Sequence, residues 1–290
     1  MKAAAFEYHA PSSIEEAAAL LAEHDDAKVI AGGQSFAPLL NMRLSTVGAV
    51  VDIGRIDGLR GVAAVDGGVR IGALTTHAVA GRDPLVAAQV PLLARAVPLI
   101  GHFQIRNRGT VGGSVAHADP AAEIPAVLRT LDGTVEAVSP RGTRTISAAD
   151  FFTGIWATTL EPDEILTAVT FPVWSGRCGF AIEEFARRHG DFAIAGATVA
   201  VQVDDTGAVA RCAIGLLGLG SVPERAASAE ALATAAPSTE VDAHDLGRAA
   251  MAGLTAVPSD LNGSARYRMR VGAEMVARAW RRAVEEATRA

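Results

Sequence analysis

The sequence predicts an α+β protein built from two domains. Its 290 residues fit one large domain or two of ordinary size, and half of them are hydrophobic, which is enough for a sizeable core. The last third reads as strands followed by helices, which is typical of an α+β module and not of alternating β-α-β units. Proline, serine and glycine follow one another between Pro172 and Gly179, so we expect the linker there.

The chain is expected to begin with a helix, a strand and a second helix. Residues 12–23 have the pattern of a helix, with Ser12 or Ser13 as its N-cap and two glutamates in the first turn. A short strand is predicted at 28–31. A glycine pair follows it, and then a helix with Ser35 near its N-cap.

The middle of the chain combines a hairpin, further strands and short helices. Residues 61–76 predict a hairpin, because Asp66-Gly67-Gly68 has the composition of a tight turn. Helical segments are expected across 75–100 and in the stretch AAEIPAVLRTL. Further strands are predicted at 48–53, 134–139 and 164–172.

The last third is expected to fold as a sheet covered by helices. Three helices follow three strands, which are predicted at 180–188, 197–205 and 209–219, and the last helix spans 265–287. The arginines of that helix are interpreted as a solvated face, or alternatively as a docking surface for another subunit.

Composition argues against several classes of function. The net charge of −6 disfavours a nucleic-acid or anionic-membrane surface, and no apolar run is long enough for a spanning helix. Cys178 and Cys212 form no CxxC, so we expect no cluster on this chain and a reducing, cytoplasmic location. No metal site is expected either, because the chain shows no ligand spacing among His9, His24, His77, His189 and His244. No catalytic triad or nucleophile elbow is present in the sequence.

Two glycine pairs carry the strongest local signal. They occur in AGGQSFAPLL (31–40) and GTVGGSVAHADP (109–120). Turns of this kind expose successive amides that bind anions, and a helix that starts just afterwards adds its positive end. Two such loops that converge could hold a pyrophosphate, with Gln34, Ser35 and Ser114 as neutral donors. Ordinary turns are the alternative interpretation.

The same stretches carry a family resemblance. AGGQSFAPLLNMRL (31–44), RGTVGGSVAHADPAAEIPA (108–126) and EPDEIL (161–166) resemble the FAD-binding medium subunit of molybdenum-containing hydroxylases, the family of xanthine dehydrogenase and carbon monoxide dehydrogenase flavoprotein subunits. The resemblance implies an FAD-binding domain of the vanillyl-alcohol-oxidase type, itself two α+β lobes, over residues 1–175. It implies a C-terminal flavoprotein domain of the CO dehydrogenase type, a three-stranded sheet with helices, over residues 176–290.

The resemblance also implies a set of cofactor-binding residues. The pyrophosphate of FAD would be wrapped by the two glycine loops, with Glu123 at the polar chain of the flavin, Ile100 beside the isoalloxazine ring, Leu160 offering a backbone contact and Phe192 near the ring. The loop residues are Ala31, Gly32, Gly33, Gln34, Ser35, Phe36, Thr110, Val111, Gly112, Gly113 and Ser114. No metal-ligating or catalytic residue is carried over.

The chain departs from the family pattern at two places near the expected flavin. Phe192 stands where some relatives have a tyrosine, so a hydroxyl is missing. Glu183 and Glu184 occupy a strand where relatives often carry a lysine, so the cation is either missing or supplied by Arg187. Either change would shift the flavin potential.

Function follows from the resemblance. It implies a non-covalent FAD subunit of an oxidoreductase, which accepts electrons from the [2Fe–2S] clusters of a small subunit and passes them to NAD⁺, oxygen or another acceptor. Molybdopterin would reside on a large subunit, and the assembly would be a dimer of heterotrimers. The alternatives are a self-contained FAD oxidoreductase acting on its own small substrate and a non-enzymatic nucleotide-binding or assembly module.

Overall fold

The computed structural model describes residues 2–289. The chain begins with a parallel sheet of three short strands, β1 (Glu7–His9), β2 (Ala27–Ile30) and β3 (Ala49–Asp52), in the order β1-β3-β2. Parallel neighbours need crossover connections, and here the helices α1 (Ile14–Glu23) and α2 (Phe36–Met42) provide them.

Helix α1 shows how the local sequence determines its element. The Ser13 hydroxyl accepts a hydrogen bond from the amide of Glu16 at 3.1 Å, which confirms the predicted N-cap. Ala17, Ala18 and Leu21 lie at helical spacing and are buried against the parallel sheet.

A five-stranded antiparallel sheet follows. Its strands are β4 (Val62–Val65), β5 (Gly68–Gly72), β6 (Thr134–Ser139), β7 (Gly142–Ser147) and β10 (Ile165–Pro172). Their order in the sheet is β4-β5-β10-β6-β7, and the hairpin β4–β5 turns at Asp66-Gly67 as predicted. The sequence prediction missed β7, a polar edge strand that pairs with β6.

Short helices and one small hairpin lie between these strands. The hairpin joins β8 (Phe152–Gly154) and β9 (Ala157–Thr158), with Trp156 at its tip. One-turn 3₁₀ helices lie at Ile53–Arg55 and Val97–Leu99. The α-helices are α3 (His77–Ala80), α4 (Pro84–Gln89), α5 (Pro91–Ala96), α6 (Phe103–Arg106), α7 (Val111–His117), α8 (Glu123–Thr130) and α9 (Ala148–Phe151).

The second glycine pair is not a turn that breaks a strand, and the sequence interpretation was wrong here. Gly112 and Gly113 lie in the first turn of α7, and the Thr110 hydroxyl accepts a hydrogen bond from the Gly113 amide at 3.0 Å as the N-cap. Glycine disfavours helices, but Gly112 packs so closely on Ala73 that a side chain at this position would overlap its backbone.

The last third is a four-stranded antiparallel sheet covered by helices. The three predicted strands are present, and a two-residue edge strand adds a fourth. The order is β11 (Arg177–Phe185), β12 (Ala195–Val203), β13 (Val209–Leu217) and β14 (Glu224–Arg225). The helices are α10 (Ala227–Ala233), α11 (Ala243–Ala252) and α12 (Ala265–Arg289). Helix α12 packs across β11 and β12 with Trp280 and Ala283 buried.

One arginine of α12 does not belong to a solvated face. Arg268 is 4% exposed, and its guanidinium donates to the carbonyl oxygens of Ile194 and Gly218 and to the carboxylate of Asp260 at 2.7 Å. The interpretation of the arginines as solvated holds for Arg266 and Arg270, which are exposed, but is wrong for Arg268. This side chain ties the ends of β12 and β13 to α12.

Residues 173–176 connect β10 to β11, where the linker was expected. The largest hydrophobic cluster continues across this connection, because it contains Phe171 of β10, Trp174 of the connection, and Phe180 and Ile182 of β11. Within residues 2–289, no helix combines the length and the apolar character that a bilayer span requires.

Candidate functional site

The structure brings the two glycine loops into direct contact. A Cβ placed on Gly32 would overlap the carbonyl oxygen of Arg108, and one placed on Gly113 would lie 3.7 Å from the Cβ of Ala31. Gly32 is therefore required for this close approach. The first loop follows β2, which ends at Ile30, and the second leads into α7, which begins at Val111.

The first loop presents unused main-chain donors. Gly33 has φ +71°, a left-handed conformation that glycine adopts without strain, and α2 begins at Phe36. The backbone amides of residues 32–36 donate to no acceptor in residues 2–289, whereas the side-chain amide of Gln34 donates to the Gly32 carbonyl at 3.1 Å. Ser35, at the N-cap, makes no side-chain cap hydrogen bond. Successive free amides of this kind form a concave anion site.

The second loop differs, because its amides are used inside the chain. The amides of Val111 and Gly112 donate to the carbonyls of Thr75 and Ala73, at 2.9 and 3.0 Å. Those of Gly113 and Ser114 donate to the hydroxyl and the carbonyl of Thr110, both at 3.0 Å. The expectation of free amides thus holds for the first loop alone. The second loop contributes shape, and Ser114 contributes a half-buried hydroxyl.

His77 supports the second loop, although no feature of the sequence identified it. Its Nε2 lies 2.9 Å from the Thr110 carbonyl, and its own amide donates to the Gly109 carbonyl at 2.9 Å. Burial lowers the pKa of His77 to about 4, with Arg106 adding to the shift and the Thr110 carbonyl opposing it. The ring is therefore neutral near pH 7, and Nε2 carries the proton that it donates.

A second junction lies at Ile100 and Gly101. The Arg106 guanidinium donates to the carbonyls of Ile100 and Gly101 at 2.8 and 2.9 Å, and to that of Pro98 at 3.3 Å. Gly190, in the turn before Phe192, lies so close that its Cβ would be 2.8 Å from the Gly101 carbonyl oxygen. Ile100 and the Phe192 turn are thus adjacent.

Phe192 is 64% exposed beside this junction. The Arg187 guanidinium, in the same turn, donates to the Leu261 carbonyl at 2.7 Å. Leu160 packs against the hydrophobic core, and its amide donates to the Thr158 hydroxyl at 3.3 Å. No hydrogen bond within residues 2–289 joins Leu160 to either glycine loop.

Glu123 and Glu184 form a pair of carboxyl groups with raised pKa values. Glu123 begins α8 and is buried, and burial, followed by the charges of Glu184 and Asp119, raises its pKa to about 8. Burial raises the pKa of Glu184 to about 7, and its Oε2 is shielded without a hydrogen-bond partner in residues 2–289. Glu183, its neighbour, is instead paired with Arg282. This region can therefore hold carboxyl protons at neutral pH.

The hairpin tip covers the end of α7. The Trp156 indole stacks on His117 with ring centroids 5.9 Å apart, and its Nε1 donates to Asp119 at 3.2 Å. The other oxygen of Asp119 accepts from the Ala121 amide at 2.9 Å. Both oxygens of Asp119 are thus used within the chain, so the residue holds the turn after α7 together.

Family models and similar proteins match nearly the whole chain. A family model described as the FAD-binding domain in molybdopterin dehydrogenase matches residues 4–174, and one described as the CO dehydrogenase flavoprotein C-terminal domain matches residues 180–283. The chain is 42% identical to the 6-hydroxypseudooxynicotine dehydrogenase complex subunit alpha of Paenarthrobacter nicotinovorans, over 99% of this chain and 97% of that protein.

Two carbon monoxide dehydrogenases are also similar. The medium chain from Afipia carboxidovorans is 37% identical over 97% of this chain and 96% of its own. A solved carbon monoxide dehydrogenase from Hydrogenophaga pseudoflava, which lacks the Mo-pyranopterin moiety of its cofactor, superposes with a TM-score of 0.95 at 36% identity over 99% of both chains.

Proposed function

The chain belongs to the family of FAD-binding medium subunits of molybdopterin dehydrogenases, and from that premise we propose that it carries FAD between an iron–sulfur subunit and a final electron acceptor. The membership confirms the resemblance and the fold class expected from sequence, and it identifies the chain as a subunit of an oxidoreductase. The partners, the acceptor and the residue roles below are our proposal.

The proposal rests on one observation: the first glycine loop has unpaired backbone amides within residues 2–289 and contacts the second glycine loop. The backbone amides of residues 32–36 have no acceptor in residues 2–289, and they surround a glycine with positive φ. A diphosphate bridging to Ser114 and Gln34 fits this donor set without a lysine. We assign Ala31–Phe36 and Thr110–Ser114 to the pyrophosphate of FAD.

The remaining site residues hold the rest of the cofactor in this proposal. Arg106 fixes the backbone at Ile100 beside the ring, Phe192 covers the ring from the adjoining turn, and Leu160 offers its carbonyl. Glu123 contacts the polar chain of the flavin as a protonated carboxyl group, which can donate a hydrogen bond. Binding is non-covalent.

Bound FAD would supply the conversion between one-electron and two-electron transfer. The chain itself binds, orients and shields: Arg106 and His77 fix the backbone on either side of the site through hydrogen bonds to carbonyls. Glu184, half-buried near Glu123 and without a salt-bridge partner in residues 2–289, holds a proton on its carboxyl group near neutral pH.

The proposed assembly includes two further subunits. A small subunit would carry two [2Fe–2S] clusters and a large one molybdopterin, in a dimer of heterotrimers. The final acceptor would be NAD⁺, oxygen or another oxidant. Both cysteines of this chain are free, which suits a cytoplasmic complex.

The following test distinguishes an electron-transfer subunit from a self-contained FAD oxidoreductase. We expect the chain purified alone to be yellow, with the flavin band near ~450 nm, and its flavin to stay oxidised with organic substrates. We expect flavin reduction by substrate only when the chain is co-expressed with the molybdopterin and [2Fe–2S] subunits. Substrate turnover by the isolated chain would support the self-contained oxidoreductase, and a colourless preparation that takes up no FAD would contradict both.

A further inference from the structure

Three potential metal ligands converge at the edge of the parallel sheet. Glu7 and His9 lie on β1, and His24 caps the end of α1. One ligand atom from each lies within 4.8 Å of the other two. We propose that these three residues bind a divalent transition-metal ion, independently of the proposed electron-transfer function.

The fold brings together three residues that show no metal-ligand spacing in the sequence. Residues two apart on a strand project to the same side, which brings Glu7 and His9 together. Helix α1 then runs back along the sheet and delivers His24 to them. The rings of His9 and His24 have centroids 5.2 Å apart at an angle of 33°.

His9 has a nitrogen that lacks a partner. Its Nε2 is shielded from solvent and makes no hydrogen bond within residues 2–289. The nearest carboxylate oxygen, Oε2 of Glu7, is 3.6 Å away, which is beyond hydrogen-bond distance. Shielded polar atoms without a partner are rare in folded proteins, and a metal ion would satisfy this nitrogen.

The distances suit a metal ion after small side-chain rotations. Zinc lies about 2.1 Å from nitrogen and oxygen ligands, so two ligands of a tetrahedral site are about 3.4 Å apart. The gap between Glu7 and His9 is already close to this value, at 3.6 Å. The His24 ligand atom lies within 4.8 Å of the other two, so it needs to approach by at most about 1.4 Å, which a rotation of its side chain provides.

The elements that carry the ligands are fixed. Strand β1 pairs in parallel with β3, with Glu7 opposite Ala49 and His9 opposite Val51, and the Glu7 amide donates to the Gly48 carbonyl at 2.7 Å. The His24 amide donates to the Leu20 carbonyl at 3.2 Å. Ligands on anchored backbone lose little freedom when they bind an ion.

The ligand types select the metal. Two imidazole nitrogens and one carboxylate suit Zn²⁺, Co²⁺ or Ni²⁺, whereas Ca²⁺ and Mg²⁺ prefer oxygen ligands throughout. The Glu7 side chain is 70% exposed, so water can fill the remaining position. The ion would join the three-residue strand β1 to α1 and act as a clamp at the sheet edge.

The experiment titrates the untagged full chain with Zn²⁺ by calorimetry and with Co²⁺ by absorption spectroscopy. We expect one ion per chain and a melting temperature that rises with added Zn²⁺. His9→Ala and His24→Ala should each weaken binding by at least about tenfold. Glu7→Gln, at an exposed side chain, tests the same ligand set without disturbing the fold.

His244→Ala is the matched control. His244 lies 3.7 Å from a carboxylate oxygen of Glu274, much as His9 lies near Glu7, but its Nε2 is already engaged by Arg281 at 2.7 Å. This variant should bind zinc like the wild type. Absence of stoichiometric binding by the wild type would overturn the proposal. Unchanged binding by His9→Ala, His24→Ala and Glu7→Gln would overturn it as well.

Discussion

The Nε2 atom of His77 lies 2.9 Å from the carbonyl oxygen of Thr110, the residue that caps the helix carrying the second glycine pair. The two residues are 33 positions apart in sequence. Together with the backbone bonds that the Val111 and Gly112 amides donate, this buried hydrogen bond holds the loop against which the first glycine loop packs. The stability of the site thus depends on a residue outside both glycine motifs.

We expect His77→Phe to destabilise the protein by about 1–3 kcal/mol, because the Thr110 carbonyl loses its donor in a buried place. Chemical denaturation of the apoprotein at pH 7 measures this change. His189→Phe, at an exposed position, is the control and should unfold like the wild type. Equal stability of both variants would show that the His77 hydrogen bond contributes nothing.

His77 also predicts a dependence on acid. Its folded pKa of about 4 lies below the ordinary value of 6.5, so the unfolded chain binds more protons between these two values. Its contribution to stability is therefore full above pH 6.5 and is lost as the pH falls towards 4. His77→Phe should flatten this part of the stability profile.

Glu123 predicts the opposite trend. Its folded pKa of about 8 lies above the ordinary 4.5, so the folded chain binds more protons in that window. The contribution of Glu123 to the folding stability is therefore highest below pH 4.5. It falls as the pH rises, and the loss is complete above pH 8. Glu123→Gln should raise the stability of the apoprotein at pH 8 by about 2–4 kcal/mol.

The measurement for Glu123 is the free energy of unfolding between pH 5.5 and 8.5, an interval chosen to cover most of that window. Glu240→Gln, at an exposed position, is the control and should keep the wild-type slope. If Glu123→Gln keeps that slope too, the Glu123 carboxyl group is not held protonated in the folded protein.

Substitution of Arg106 is expected to lower the affinity for FAD but not that for ADP. Its guanidinium holds the carbonyls of Ile100 and Gly101, which we assign to the ring side of the cofactor and not to the phosphates. Arg106→Gln should weaken FAD binding by about tenfold, equivalent to about 1.4 kcal/mol, and leave ADP binding unchanged. Fluorescence titration with FAD and competition with ADP measure the two affinities.

The exposed Arg266 provides the control for this substitution, and Arg266→Gln should bind both ligands like the wild type. An equal loss of FAD and ADP affinity in Arg106→Gln would contradict the assignment of Ile100 and Gly101 to the ring.

Much of the fold could be predicted from sequence because the signals were local. The Ser13 cap, the Asp66-Gly67 hairpin and the strands of the last third each depend on residues close together in the chain. β7 was missed because GTRTIS is polar and lies at a sheet edge, so it lacks an apolar alternation. The glycines of α7 were read as a turn because their close packing on Ala73 is a tertiary effect.

The sequence predicted the glycine motifs of the site but not the residues that hold them in place. The glycine loops could be named from composition, whereas His77, Arg106 and the Glu123–Glu184 pair act through contacts that join distant positions. Sequence also suggested that both loops offer amides. Only the fold reveals that the amides of Val111 and Gly112 are already bound by Thr75 and Ala73.

The most direct test of the account is the FAD content of Gly32→Ala against that of Gly67→Ala. A Cβ on Gly32 overlaps the Arg108 carbonyl and must separate the loops. At Gly67 the φ angle is positive but the surroundings are open, so Gly67→Ala costs only about 1 kcal/mol of backbone strain. With folding checked by circular dichroism, we predict at least about a tenfold loss of FAD affinity for Gly32→Ala and full retention for Gly67→Ala. A folded Gly32→Ala protein that keeps stoichiometric FAD would contradict the central claim.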